Sequence, residues 1–199
     1  MTDEIFPLVA ENFLTQEAID YILNWAKTND NLHDQHNSDV EYWSGKCIYF
    51  NAIKDKKIKN ILYQISQGML RFIRMNSPCE TIFIEPPQFV RWKEGNELPP
   101  HADNIEQDGI TPNRSPHRTY GGVLYLNDNF EGGQLYYSNL NIQVQPRPGM
   151  LVIHPGNLKF NHGVKKVEKG IRYTISAFFT EDESYSIENY YSKDESDAT

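Results

Sequence analysis

A histidine and an aspartate stand one residue apart at His101 and Asp103, directly behind two prolines in the stretch PPHADN. In an extended segment, side chains at i and i+2 leave the same face, so an imidazole nitrogen and a carboxylate oxygen converge on one point. That pair suits a divalent metal and lacks a third ligand; alone, an H-x-D pair is an ordinary solvated loop feature. The chain has 6 histidines. His33 and His36 fall in a polar stretch and are expected at the surface, and His117, beside Arg118, reads as a loop residue. His154 ends the apolar run MLVIH and reads as a hydrogen-bonded strand-end histidine. His162 is set apart by its downstream neighbours. Residues 161–174, NHGVKKVEKGIRYT, read as two strands joined by a polar turn centred near Val167. A symmetric hairpin puts His162 opposite Arg172, with Cβ atoms about 5 Å apart.

Arg172 lies in the strand-like run IRYTISAFF. Alternation places Arg172, Thr174, Ser176 and Phe178 on one face, and the more apolar set Ile171, Tyr173, Ile175, Ala177 and Phe179 on the other. A guanidinium on an inward face is costly unless paired. Its natural partner is a carboxylate held bidentately, from the protein or from a ligand. Two histidines and one carboxylate on one metal leave open positions, the facial arrangement of non-haem Fe(II) oxygenases. A 2-oxo acid can chelate such an iron and supply two electrons by decarboxylation, its far carboxylate then reaching an arginine. The order H-x-D, His 61 positions after His101, and Arg ten residues later is more specific than any of its parts.

These residues need a scaffold. Thr15 can cap a helix through QEAIDYILNWAK, with Ile19, Ile22, Leu23 and Ala26 on one stripe. Ile58, Ile61, Leu62, Ile65, Met69, Phe72 and Ile73 repeat helical spacing in the segment KIKNILYQISQGMLRFIRM. From Thr81 the period changes to short runs rich in β-branched and aromatic residues, separated by Gly, Pro and Asn turns. The pattern predicts a mainly β fold with supporting helices: one domain over 1–180, helical support over 1–80 and a jelly-roll core over 81–180. Residues 181–199 are acidic and poor in aliphatics, and are expected to form a mobile tail or a loosely docked clasp.

The 199 residues carry a net charge of −8, which argues against phosphate-backbone binding as the main role, and no run approaches the apolar length of a spanning helix. Neither nucleic acid nor membrane is therefore expected as a partner. The N-terminal residues lack a signal-peptide pattern, and Cys47 and Cys79 do not make a disulfide framework. A reducing cytoplasmic location is expected, one that keeps iron ferrous.

The segments RWKEGNELPPHADN, RTYGGVLYLND, EGGQLYY, QPRPGMLVI and HGVKKVEKGIRYTISAFF, spanning about residues 89–180, resemble the 2-oxoglutarate/Fe(II)-dependent dioxygenases, and within them the prolyl 4-hydroxylases. The resemblance implies a double-stranded β-helix, or jelly roll. It implies that His101, Asp103 and His162 bind Fe(II), that Arg172 and Tyr125 bind the distal carboxylate of 2-oxoglutarate, and that O2 and ascorbate take part. Arg172 is the oxygen-sensing-type choice, where collagen-type members have Lys. Arg118 matches an arginine near the substrate entrance. Trp92 stands where the family often has a tyrosine, at a place expected to contact cofactor or substrate. Gly121, Val123 and Tyr125 share a strand face whose small residues leave room for the cosubstrate. Loops 29–46 and 104–117, with Tyr42 and Trp43, are expected to flank a groove for a proline-containing peptide or protein. Thr180 departs from a collagen-type histidine. Hydroxylation of a free amino acid, or a non-enzymatic jelly-roll binding module, are the alternatives. Phe178, where repair-type nucleic-acid demethylases carry an additional Arg, disfavours that branch.

Overall fold

A computed structural model describes residues 6–35, 43–79 and 81–191. His36 and Tyr42 lie outside these residues. The two expected helices form as their caps and stripes dictate. Thr15 accepts from the Ala18 N–H and opens α1 (Gln16–Thr28), which buries Ile19, Ile22 and Ala26. The Asp55 carboxylate accepts from the N–H groups of Lys57 and Ile58 and opens α3 (Lys56–Asn76). Its buried stripe runs Ile58, Leu62, Ile65, Met69 and Ile73. Between them lies a single turn, α2 (Asn31–Asp34).

Both long helices cover the outer face of a large antiparallel sheet. Its path is β1 (Leu8–Ala10), β10 (Leu151–Pro155), β6 (Arg118–Tyr125), β13 (Ile171–Thr180), β4 (Gln88–Lys93) and β2 (Cys47–Tyr49), with β3 (Phe83–Ile84) also on β13. Ile175, Ala177 and Phe179 of β13 join Leu124, Phe89 and the helix stripes in one core. Each of the larger side chains, Ile175, Phe179, Leu124 and Phe89, contributes about 1.5–3 kcal/mol by leaving water. The opposite face of β13 presents Arg172, Thr174, Ser176 and Phe178, as alternation requires. Facing it is a smaller sheet of β5 (Leu98–His101), β11 (His162–Val164), β8 (Leu135–Tyr137) and β9 (Ile142–Gln143). Two sheets of antiparallel strands with helices outside one of them make the jelly roll that the sequence pattern predicts.

Three expectations are corrected. His162 and Arg172 are not opposed in a hairpin. Residues 162–164 pair with β5 and β8, whereas Arg172 pairs with Trp92. Between them β12 (Val167–Lys169) turns away to pair with β7 (Glu131–Gly132), so the two flanking strands enter different sheets. The first 80 residues supply more than helical support, since β1 and β2 form the two ends of the large sheet's path. Residues 181–191, expected to be mobile or at most a loosely docked clasp, are firmly seated on the molecule. Ile187 is fully buried and its N–H bonds the Ile84 carbonyl at 2.8 Å. Tyr191 stacks on Tyr63 of α3, and the Glu188 carboxylate accepts from Tyr63 and Gln67. One aliphatic anchor is enough to seat an otherwise polar segment.

Candidate metal and anion site

The mouth between the two sheets gathers the residues singled out by type. His101 ends β5 and is the direct cross-strand partner of His162 at the start of β11. β5 lies at the edge of its sheet, where Pro99 and Pro100 are tolerated because no inner ladder needs their N–H. Asp103 does not reach the histidines by strand alternation, as β5 stops at His101. The chain instead crosses to the large sheet, where the N–H groups of Asp103 and Asn104 both donate to the Gly156 carbonyl at 2.8 and 3.2 Å. This delivers Asp103 Oδ1 to 3.9 Å from both His101 Nε2 and His162 Nε2. One ligand atom from each of the three residues lies within 4.8 Å of the others.

Backbone carbonyls set the histidine tautomers. His101 Nδ1 faces the Pro99 carbonyl at 3.1 Å and His162 Nδ1 faces the Phe160 carbonyl at 3.0 Å. A carbonyl only accepts, so Nδ1 carries the proton in each ring and Nε2 presents a lone pair. Burial holds the His162 imidazole well below its ordinary pKa, with His154 adding to the effect against the pull of Asp103. Burial would raise the Asp103 carboxyl, but His162, His154 and His101 together hold it below the usual carboxylate range. Neutral imidazole and ionised carboxylate are the forms that bind a metal. Two nitrogens and one oxygen on one side fit a ferrous ion with open positions.

Deeper between the sheets lies Arg172, 2% exposed. Among the described residues no carboxylate pairs with it, and its Nε finds no hydrogen-bond partner. The Tyr125 ring lies under the guanidinium at 5.1 Å. The Tyr125 hydroxyl and Thr174 hydroxyl, whose residues are cross-strand partners, are also buried with no hydrogen bond of good geometry among the described residues. Burial raises the Tyr125 pKa, opposed by Arg172, so the phenol keeps its proton to donate. An unpaired buried cation beside two unsatisfied hydroxyls fits a carboxylate ligand. This pocket is continuous with the metal cluster, since one cavity is lined by His101, Asp103, His162 and Arg172, with Trp92, Val90 and Leu135 as apolar walls.

The other residues expected near the site take varied places. Trp92 is buried as the cross-strand partner of Arg172, with Trp43 against it and the Lys46 ammonium 5.5 Å over its ring. Arg118 lines the mouth but is engaged: it donates twice to Glu85 at 3.0 Å and stacks 3.5 Å over Phe178. Thr180 accepts from the Asp182 N–H and begins the docked clasp. Cys47 also borders the mouth, but burial pushes its thiol up to about 12, which keeps it protonated and a poor metal ligand. His33 corrects a surface expectation. It is buried, Nδ1 donates to the Lys46 carbonyl at 2.8 Å, and burial lowers its pKa to about 4.

Two residues, Gly121 and His154, take roles that were not anticipated. A Cβ at Gly121 would overlap Asp103 Oδ2 and meet His154 Nε2 at 3.0 Å, so the room left by this glycine is taken by the acid itself rather than by a cosubstrate. His154 sits beside Gly121 in the β10–β6 register and turns its ring toward Asp103. The signal for both was the H-P-G end of β10, whose meaning depends on cross-strand register.

Residues 87–180 match the 2OG-Fe(II) oxygenase superfamily. Prolyl 3-hydroxylase 1 of Rattus norvegicus is 29% identical over 64% of this chain and 20% of its own length. Prolyl 3-hydroxylase 3 of Homo sapiens is 37% identical over 41% of this chain and 13% of its own length. The chain thus spans about a fifth or less of these relatives. Among solved structures, a viral collagen prolyl hydroxylase from Paramecium Bursaria Chlorella virus-1, in its 2OG complex, superposes with a TM-score of 0.70 at 17% identity, covering 92% of this chain and 99% of that one. A Pseudomonas putida prolyl-4-hydroxylase superposes with a TM-score of 0.62 at 17% identity, covering 88% and 92%. The structural likeness bears out the double-stranded β-helix. Sequence relatives named for the 3-position and a structural neighbour named for the 4-position share the prolyl hydroxylase description and differ in the ring carbon.

Proposed function

We propose that this chain, whose residues 87–180 match the 2OG-Fe(II) oxygenase superfamily, hydroxylates a prolyl residue in a peptide or protein, consuming 2-oxoglutarate and O2 and releasing succinate and CO2. The observation that carries this reading is Arg172: a buried guanidinium that meets no carboxylate among the described residues, in the same cavity as a His-Asp-His cluster. His101, Asp103 and His162 would hold Fe(II). Arg172 would grip the distal carboxylate of 2-oxoglutarate, with the Tyr125 and Thr174 hydroxyls completing its hydrogen bonds. When bound, the ferrous centre supplies activation of O2, with electrons from decarboxylation of the 2-oxo acid. Trp92, Val90 and Leu135 line the cavity between the two anchors and exclude water from it. Ascorbate is the reductant we assign to keep the iron ferrous.

The substrate would enter at the mouth, where Trp43, Tyr49 and Phe178 are apolar surfaces beside His101 and Asp103. Proline-rich segments are pre-extended and dock on aromatic grooves at low entropic cost. Arg118, neutralised by Glu85, would serve there as a flat edge rather than a free charge. The names of the relatives support a peptide, as does a structural neighbour from Trichoplax adhaerens, a prolyl hydroxylase in complex with a hypoxia inducible factor peptide fragment. The test is incubation with Fe(II), 2-oxoglutarate and ascorbate against a panel of proline-containing peptides and free proline, read by mass spectrometry. Addition of one oxygen to a prolyl residue is expected, and fragment analysis against 3- and 4-hydroxyproline standards assigns the carbon. Oxidation of free proline and of no peptide would move the reading to small-molecule hydroxylation.

A further inference from the structure

Three histidine rings crowd the cluster, His101 half-buried and His154 and His162 buried, yet His154 is wired differently from the other two. His154 is 1% exposed and its ring centroid lies 4.2 Å from that of His162. Its Nδ1 does not face a carbonyl; it faces the Tyr137 hydroxyl at 2.9 Å. A phenol carries its proton at neutral pH and can donate it. A buried phenol with that one neighbour satisfies its O–H by donating to Nδ1. The proton of a neutral His154 then sits on Nε2, the reverse of His101 and His162. That nitrogen lies 3.4 Å from Asp103 Oδ2, and neither atom has a hydrogen-bond partner of good geometry among the described residues. An orphan donor and an orphan acceptor therefore face one another, in a gap kept open by the missing side chain at Gly121.

We infer that His154 is a positioning residue for the metal site: locked by Tyr137 as its Nε2–H tautomer, it holds Asp103 Oδ2 so that Oδ1 alone turns toward the metal. The inference rests on the assignment of His101, Asp103 and His162 as ligands. The Nε2 proton also bars His154 from becoming a fourth protein ligand, preserving open positions for cosubstrate. Partners of this kind that orient metal ligands typically matter by 10–100-fold in metal affinity.

Long-range 1H–15N NMR of the histidine rings tests the tautomer directly, in metal-free and Zn(II)-loaded protein. The expected result is Nε2–H for His154 and Nδ1–H for His101 and His162, the His154 pattern persisting with Zn(II). A proton on His154 Nδ1, or loss of its Nε2 proton on loading, overturns the inference. Calorimetric titration with Co(II), with the Co(II) absorption spectrum, tests its consequence. His154→Phe should weaken Co(II) binding by about 10–100-fold and alter the spectrum. His154→Gln, whose amide nitrogen can occupy the Nε2 position, should bind within about threefold of the original chain. Equal affinity in His154→Phe, or equal loss in both variants, would overturn the positioning role. Failure of the unsubstituted chain to bind Co(II) would instead overturn the ligand assignment, and this inference with it.

Discussion

Replacing Arg172 with methionine should move ligand-free stability and cosubstrate binding in opposite directions. Arg172 is 2% exposed and its guanidinium meets no carboxylate among the described residues. The ligand-free protein therefore carries a desolvated charge. Substituting apolar side chains for buried ionic groups stabilises by about 1–4 kcal/mol, so Arg172→Met should raise stability in that range when no anion is present. Binding should suffer in the other sense. Charge-assisted hydrogen bonds are worth about 1.5–3 kcal/mol, which corresponds to roughly a 10–100-fold weaker hold on 2-oxoglutarate. With Mn(II) in place of iron and 2-oxoglutarate at about 100 times the original dissociation constant, the original chain gains about 2.7 kcal/mol from the ligand. At a 100-fold weaker affinity, the same concentration contributes about 0.4 kcal/mol. For a domain of this size the ligand-induced rise in Tm should shrink from about 5–11 °C to about 1–2 °C. Scanning calorimetry with and without 2-oxoglutarate reads both effects. A variant that is less stable without ligand, or that keeps the full ligand-induced shift, would refute the reasoning, because Arg172 would then have a protein partner or no anion to hold.

Gly121→Ala should press its methyl into Asp103 Oδ2 and His154, costing about 1–3 kcal/mol by overpacking and weakening Co(II) binding at least tenfold by calorimetry; unchanged affinity would mean the carboxylate has room to spare. His33, with a folded pKa of about 4 against 6.5 unfolded, binds its proton more readily in the unfolded chain, so its contribution is present above pH 6.5 and is lost as pH falls. Between pH 7 and 5 the original chain should lose about 2 kcal/mol relative to His33→Asn, by urea unfolding at each pH, whereas parallel losses would show that His33 titrates normally. Ile187→Ala should cost about 2–4 kcal/mol in urea unfolding, since this fully buried residue anchors the segment after Thr180. A cost near zero would mean that the clasp contributes little to the fold.

What could be read from the chain alone was what depends on local period and residue type. The period-two alternation of β13 correctly put Arg172 and Thr174 on one face and Ile175 and Phe179 on the other. The helical stripes of α1 and α3 matched their buried sides, with Thr15 in place and Asp55 as a second cap. His101, Asp103 and His162 converge as their types suggested, but for reasons of register and not of simple strand geometry. Asp103 is held by Gly156 across the gap between sheets. The supposed hairpin failed because β12 leaves to pair with β7, a choice made by distant residues 131–132. His33 misled for a similar reason. The polarity around it is consumed by Arg91, which is buried, makes ion pairs with Asp30 and Asp34, and accounts for a neighbourhood that looks solvated in sequence. His154 could not be distinguished from an ordinary strand-end histidine until Tyr137 and Gly121 were seen beside it.

Supplying isotopically labelled O2 shows whether decarboxylation of 2-oxoglutarate and prolyl hydroxylation are coupled at one site. Fe(II), 2-oxoglutarate and the peptide oxidised fastest in the panel are incubated with the chain under labelled O2, and succinate and peptide are both analysed by mass spectrometry. One labelled oxygen atom should appear in succinate for each one placed on a prolyl residue, in equal amounts, and neither product should form with Asp103→Ala in a variant that remains folded. Peptide oxidation without labelled succinate, or wild-type turnover from Asp103→Ala, would contradict coupling at this site.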